Sequence, residues 1–287
     1  MKYQFMEEYR SSFRVEKMCR VFGVSKSGYY AWKHKSRGDR ARENEQLIEK
    51  IKTIYTLHRS VYGSPRITQE LRAHGLSCGK NRVARLMKCN GIKAKTVKRY
   101  RVTTNSDHKL SVAPNLVNRE FVADNRDRLW VSDISYIGTK EGWLYLAVII
   151  DIFSRQVVGW AMSDRLKDDL TVNALRQAIT RRNPLPGLIF HSDRGIQYAG
   201  RRFRRFLRYH GAIQSMSGKG NCYDNAVAES FFHTLKTELV YLERYDTRSQ
   251  ARQSIFEYIE VFYNRIRRHS ALGYRSPLEY ERTAMVA

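Results

Sequence analysis

The stretch RLWVSDISYIGTKEGWLYLAVIIDIFSRQVVGWAMS, residues 128–163, decides the fold. It reads as three strands, 128–138, 143–154 and 156–163, rich in β-branched and aromatic residues, with Gly142 marking the first turn. The connections are too short for a crossover, so the strands form an antiparallel meander. Working outward, Asp169 to Arg181 is a helix with Leu170, Ala174, Leu175, Ala178 and Ile179 on one face. "GLIFHSD" (187–193) is a fourth strand, "RRFRRFLRYHG" (201–211) a strongly basic helix and "AIQSMS" (212–217) a fifth strand. A long helix is predicted from about Tyr223 to Val240 and a final one from Arg248 to Arg268. Meander first, then alternating helix and strand, gives an α/β fold: a mixed five-stranded sheet with helices on its faces.

Upstream the pattern is all-α. Val15, Met18, Cys19 and Phe22 make one helical stripe, Gly23 breaks it, and Ser25 is placed to cap a second helix through Trp32. Leu47, Ile48, Ile51, Ile54 and Tyr55 mark an amphipathic helix; Pro65 opens another that Gly75 stops. In "NRVARLMKCNG" (81–91), Val83, Leu86 and Met87 face inward while Asn81, Arg82, Arg85 and Lys88 face out. An apolar stripe behind and donors in front suits a DNA-recognition helix; a helical bundle with a solvated basic face shows the same pattern. The expected organisation is a helix-turn-helix segment at 1–40, a second helix-turn-helix-like DNA-binding domain at 41–92, a basic linker at 93–120 and the sheet domain with its C-terminal helices at 121–287.

Charge points to the partner. The 287-residue chain carries 52 Lys+Arg against 28 Asp+Glu, a net +24. Residues 1–120 hold 27 and 10 of these, a net +17, and residues 121–287 hold 25 and 18, a net +7. Such a field favours a polyanion, and nucleic acid is the default. No uninterrupted apolar run approaches membrane-spanning length, and the N-terminus lacks a signal-peptide pattern, so a cytoplasmic protein with no membrane partner is expected. The four cysteines form no CxxC and read as free thiols.

Three carboxylates carry the chemistry. Asp133 lies inside a strand, where Asp is disfavoured and costly to bury unpaired. Asp193 ends the fourth strand, where α/β sheets place ligand contacts, although Asp-Arg-Gly is also ordinary turn chemistry. Glu229 lies on the long helix, and Lys236, two turns on, shares its face. Each has a plain structural reading as well. Asp151 also ends a strand and competes for a metal position. His191 and His233 do not make a zinc site, which needs four ligands.

Asp133 in "WVSDISYI", Asp193 in "HSDRGIQY" and Glu229 in "NAVAESFFHTLKTE" resemble the triad of DDE transposases and retroviral-type integrases. The 35 residues between Asp193 and Glu229 are the typical spacing, and Lys236 matches as well. "SKSGYYAW" (25–32), "YGSPRI" (62–67), "RVARLMKCNGI" (82–92), "DIFSRQVVGW" (151–160) and "RRHSALGYRSPLEY" (267–280) narrow the likeness to the OrfB-type transposases of bacterial insertion-sequence family number three. The resemblance implies an RNase H-like integrase catalytic core preceded by the helix-turn-helix region. It implies Asp133, Asp193 and Glu229 as catalytic residues and ligands of Mg²⁺ or Mn²⁺, as two ions ~3.5–4 Å apart. Water would nick the transposon end, and the exposed 3′-OH would then join DNA to DNA. Lys236, Asn81, Arg82, Arg85, Lys88, Arg194 and Lys219 are the DNA-binding candidates. The implied partners are double-stranded DNA with terminal inverted repeats, target DNA, the product of an upstream reading frame (fused or separate) and further copies of the chain, acting in the nucleoid. A nuclease that cuts without joining, and a non-catalytic DNA-binding regulator, are the alternatives.

Overall fold

The computed structural model describes residues 1–34, 39–95, 112–218 and 225–285. Six helices come first: α1 (Lys2–Glu8), α2 (Val15–Phe22), α3 (Lys26–Lys33), α4 (Asp39–Leu57), α5 (Ser64–Ala73) and α6 (Lys80–Cys89). Strands β1 (Leu129–Thr139), β2 (Gly142–Asp151) and β3 (Val157–Ser163) follow, then α7 (Asp168–Arg182), β4 (Ile189–Ser192), α8 (Ile196–Ala199), α9 (Arg201–Tyr209) and β5 (Ile213–Met216). Last come α10 (Ala226–Leu235), which runs into a π-helical segment Lys236–Val240, α11 (Arg248–Phe256), which runs into another at Glu257–Tyr263, and α12 (Pro277–Ala284).

The five strands form one mixed sheet in the order β3-β2-β1-β4-β5. β1, β2 and β3 pair antiparallel, as their short connections require, and Gly142 takes φ +108° at the first turn. β4 lies parallel to β1, and β5 parallel to β4. Side-chain alternation divides the core. Val131, Leu146, Val148 and Ile150 pack on one face with Phe231, Leu235, Ile255 and Tyr258. Trp130, Ala147 and Ile149 pack on the other with Leu175, Ala178, Phe203 and Leu207.

At one position helix and sheet touch directly. A Cβ on Gly159 would lie 2.5 Å from the Ala174 carbonyl and 2.6 Å from the Ala178 Cβ, so α7 packs against bare β3 backbone. Gly159→Ala is expected to destabilise the protein by about 1–3 kcal/mol through overpacking, readable as a lower urea midpoint.

The N-terminal helices divide unequally. α1, α2 and α3 share a small core of Met6, Met18, Cys19 and Tyr29. Gly23 takes φ +61° between α2 and α3, and the Ser25 hydroxyl accepts from the Gly28 N–H at 3.0 Å, the expected cap. By contrast, Leu47, Ile51, Ile67, Leu71, Val83 and Met87 of α4–α6 belong to the same apolar cluster as the sheet. Most of the expected linker, 96–111, lies outside the described residues.

Candidate active site

Register brings the two aspartates together. Ser132 of β1 pairs with Ser192, the last residue of the parallel β4, so Asp133 on β1 and Asp193, one residue past the end of β4, both follow directly from paired neighbours. Parity puts Asp133 on the same sheet face as Val131, the face that α10 covers. The third carboxylate arrives on α10, whose start is fastened to β1. Asn225, its N-cap, is buried and donates from Nδ2 to the Ser132 carbonyl at 3.1 Å, one residue before Asp133. Glu229 follows one turn later.

The electrostatics record this convergence. Burial holds the Asp133 carboxyl well above the ordinary carboxylate range, and the charges of Asp193 and Glu229 push it further; the Ile134 N–H, 2.8 Å from Oδ1, and the charge of Lys236 act against them. Glu229 is raised by burial alone. Burial lowers Lys236, and Asp133 opposes that shift. Burial also raises the hydroxyls of Tyr136 and Tyr198, with the charges of Asp193 and Asp133 contributing to both. Tyr198 is buried and shares a 2.8 Å hydrogen bond with Ser132, whose hydroxyl donates to Val148 O. Among the described residues, no three His, Cys, Asp or Glu side chains are gathered tightly enough to share one ion. The donor set nevertheless fits a hard cation: three oxygen ligands whose repulsion a divalent ion would relieve.

Asp193 is a turn residue as well as a strand-end carboxylate. Its Oδ1 accepts from the Gly195 N–H at 2.9 Å. Arg194 in the same turn donates from Nε to Ser217 O at 2.6 Å, tying the end of β4 to the end of β5.

Comparison with known proteins gives the family. Family models described as Integrase core domain match residues 123–222 and 229–285, and one described as HTH-like domain matches residues 42–100. The Escherichia coli K12 transposase InsF for insertion sequence IS3fB is 40% identical over 283 residues, 98% of each chain. The chain belongs to the IS3-family transposases. An uncharacterized 31 kDa protein of insertion element IS600 from Shigella sonnei is 46% identical over 263 residues, 92% of this chain and 97% of its own. The catalytic core domain of HTLV-2 integrase, solved with magnesium, aligns with a TM-score of 0.44 at 15% identity, covering 56% of this chain and 99% of that one.

In this IS3-family transposase several sequence expectations change. Asp151 is not a metal position. It is fully buried at the end of β2; one oxygen accepts from the Asp127 N–H at 2.7 Å, and the other from the Ser154 N–H and hydroxyl at 2.9 and 3.1 Å. It caps the β2–β3 turn. Arg82 does not face freely outward; it donates to Asn44 at 2.9 Å and Glu43 at 3.0 Å, bracing α6 on α4. Asn81, Arg85 and Lys88 are exposed on α6, while Lys219 lies outside the described residues. His191 is buried, 2.8 Å from the Ser215 hydroxyl, and His233 is exposed. On α9, Phe203 and Leu207 turn inward, and Arg202 pairs with Asp169. No described helix is long and apolar enough to cross a membrane.

Sequence reasoning missed Asn225, Tyr198 and α12. The last had a readable signal: Ser276-Pro277-Leu278-Glu279 is a capping box with Pro at the first helical position, and both capping hydrogen bonds form.

Proposed function

We propose that Asp133, Asp193 and Glu229 are the catalytic and metal-binding residues of this transposase, and that it cuts transposon ends and joins the resulting 3′-OH to target DNA. The approach of Asp193 and Glu229 to the buried Asp133, whose carboxyl their charges push up beyond the effect of burial, carries this reading together with the strand register. A regulator has no use for three converging acidic groups on a basic protein.

The residues divide the work. Asp133 offers oxygens from β1, Asp193 from just past the end of the neighbouring β4, and Glu229 from the clamped helix. When bound there, Mg²⁺ or Mn²⁺ would supply a Lewis acid that activates the attacking oxygen and stabilises the leaving one. In the metal-free protein, burial and the neighbouring charges favour the protonated form of Asp133; a cation must displace that proton, so affinity for Mg²⁺ is expected to rise with pH. Lys236, on the Glu229 face, holds a DNA phosphate beside the carboxylates. Asn81, Arg85 and Lys88 present donors to DNA from α6, Arg194 adds positive charge next to Asp193, and Lys219 is a further DNA-binding candidate from the sequence. The site acts on duplex terminal repeats as an oligomer, in the bacterial nucleoid, with or without the product of an upstream frame. The proposed division of the chain is 1–40, 41–92, 93–120 and 121–287.

Joining separates a transposase from a nuclease. Labelled duplex carrying the terminal repeats of the encoding element, incubated with protein and Mg²⁺, is expected to give nicked strands and then strands lengthened by joining to target DNA. Nicks without joined product would favour the nuclease. Lys236→Ala is expected to weaken end binding or joining by about 1–3 kcal/mol in free-energy terms, with an unchanged circular dichroism spectrum. Wild-type binding and joining in that variant would remove Lys236 from the site.

A further inference from the structure

A second basic site lies round α10 from Glu229. A cavity of about 350 Å³ is lined by Arg66 of α5, Arg155 of the β2–β3 turn, Arg267 and His269, together with Ser230 and Ser270. Ser230 follows Glu229 directly in the chain, but Glu229 and Lys236 do not line the cavity. No described lining residue is acidic.

The charges around it do not cancel. Among the described residues Glu238 is the one carboxylate paired with these arginines, accepting from Arg267 at 2.7 Å and from Arg66 at 3.2 Å. Arg155 is half-buried and makes no hydrogen bond or ion pair with any described residue. The charge of Asp151 reaches it, but both Asp151 oxygens are engaged within the turn. That turn is rigid: Asp151 caps it, its N–H donates to Gln156 O at 2.9 Å, and Arg155 sits at φ +59°. His269 reports the resulting field. Burial, followed by the charges of Arg267, Arg66 and Arg155, pushes it down to about 2, so it stays neutral while the arginines remain cationic.

We propose that this cavity, built from Arg155, Arg66, Arg267, Ser230 and Ser270, binds a phosphodiester of the DNA strand that runs past Glu229. The proposal rests on the reading of the carboxylate site as the place where DNA is cut. Guanidinium and hydroxyl donors around a water-accessible, uncompensated positive cavity suit a phosphate. At about 350 Å³ the cavity falls within the size range of small-ligand sites and has room for a phosphate. It also gives a function to two sequence words that the carboxylates leave unused, "DIFSRQ" and "RRHSALGY".

Arg155→Ala tests this, because Arg155 holds no other residue in place. Binding of a fluorescein-labelled terminal-repeat duplex is followed by anisotropy in EDTA, so that catalysis plays no part, across a series of salt concentrations. The variant is expected to bind about five- to tenfold more weakly, with the slope of log K against log salt shallower by ~0.7–0.9, one phosphate contact. Arg155→Lys is expected to restore the slope. Unchanged affinity and slope in Arg155→Ala, with wild-type circular dichroism and melting temperature, would overturn the proposal. Inorganic phosphate is titrated in parallel. If it raises the melting temperature of wild type but not of the variant, while DNA binding is identical in both, the site takes free phosphate and the DNA reading is wrong. Failure of the underlying reading looks different: Asp193→Asn would then nick and join like wild type, whatever Arg155→Ala does to binding.

Discussion

Replacing Asp133 by Asn is expected to lower strand cutting and joining by about 10³-fold or more, the scale on which removing one group that acts on developing charge is felt. The same change is expected to raise the stability of the metal-free protein. Asp133 is held above the ordinary carboxylate range by burial and by the charges of Asp193 and Glu229. The folded state therefore binds this proton more tightly than the unfolded chain. Its stabilising contribution is complete below the unfolded-state pKa of ~3.9 and is lost as pH rises through the higher folded value. Asn carries no such proton, so the advantage of the variant grows with pH and then levels off. Mg²⁺ reverses the ranking: it stabilises wild type by binding the folded state, whereas the variant has lost a ligand. Melting temperatures of both proteins from mildly acidic to neutral pH, with and without Mg²⁺, check all three statements. A variant less stable than wild type without metal at neutral pH would mean that Asp133 is a partnered structural carboxylate.

The second large effect lies away from the carboxylates. Arg267→Ala is expected to cost about 3–5 kcal/mol, the usual penalty for breaking a buried ion pair and leaving one charge behind. Arg267 and Glu238 are both buried; the Glu238 oxygens also accept from Tyr258 at 2.9 Å and Arg66 at 3.2 Å. Burial alone would raise Glu238, yet the hydrogen bonds and charge of Arg267, then the charge of Arg66, hold it below its ordinary value. Its stabilising contribution is therefore present above the ordinary carboxylate range and is lost on acidification through the depressed value. One residue on, Arg268 donates to both oxygens of Glu70 on α5 at 2.5 and 3.0 Å, and its N–H donates to the Tyr62 hydroxyl at 2.7 Å. The C-terminal segment thus fastens the HTH-like helices to the end of the Glu229 helix. Urea unfolding of wild type and variant measures the loss. A double change to apolar residues, Arg267→Met with Glu238→Leu, is expected to recover much of it. A single variant within about 0.5 kcal/mol of wild type would contradict the buried-pair account.

The sheet was legible because its signals were local. The residues around 128–163 alternate, their turns are short, and the antiparallel meander leaves little choice. Asp133 stood out because a carboxylate inside an apolar strand needs a reason. Asp193 was ambiguous because both readings hold: its Oδ1 accepts from Gly195 while register sets it beside Asp133. Asp151 misled for a related reason. A strand-end Asp looks alike in sequence whether it faces a ligand or caps a turn, and only the donors of Asp127 and Ser154 decide. Arg82 looked outward from helical periodicity, but α4 supplies Glu43 and Asn44 across a distance in sequence that periodicity does not see. The same limit hid Asn225 and Arg155. What they do depends on Ser132, 93 positions away, and on a cavity assembled from four separate segments. The two π-helical segments within the last long helices had no sequence signal that we can name.

The central claim is that Asp133, Asp193 and Glu229 act together on DNA. Its most direct measurement is single-turnover joining of a labelled terminal repeat in Mg²⁺ by wild type and by Asp133→Asn, Asp193→Asn and Glu229→Gln, at protein concentrations where all four bind the DNA. The account predicts joined strands from wild type alone, with each variant down by at least about 10³-fold and none additive with another. Full joining by any one of the three variants would contradict it.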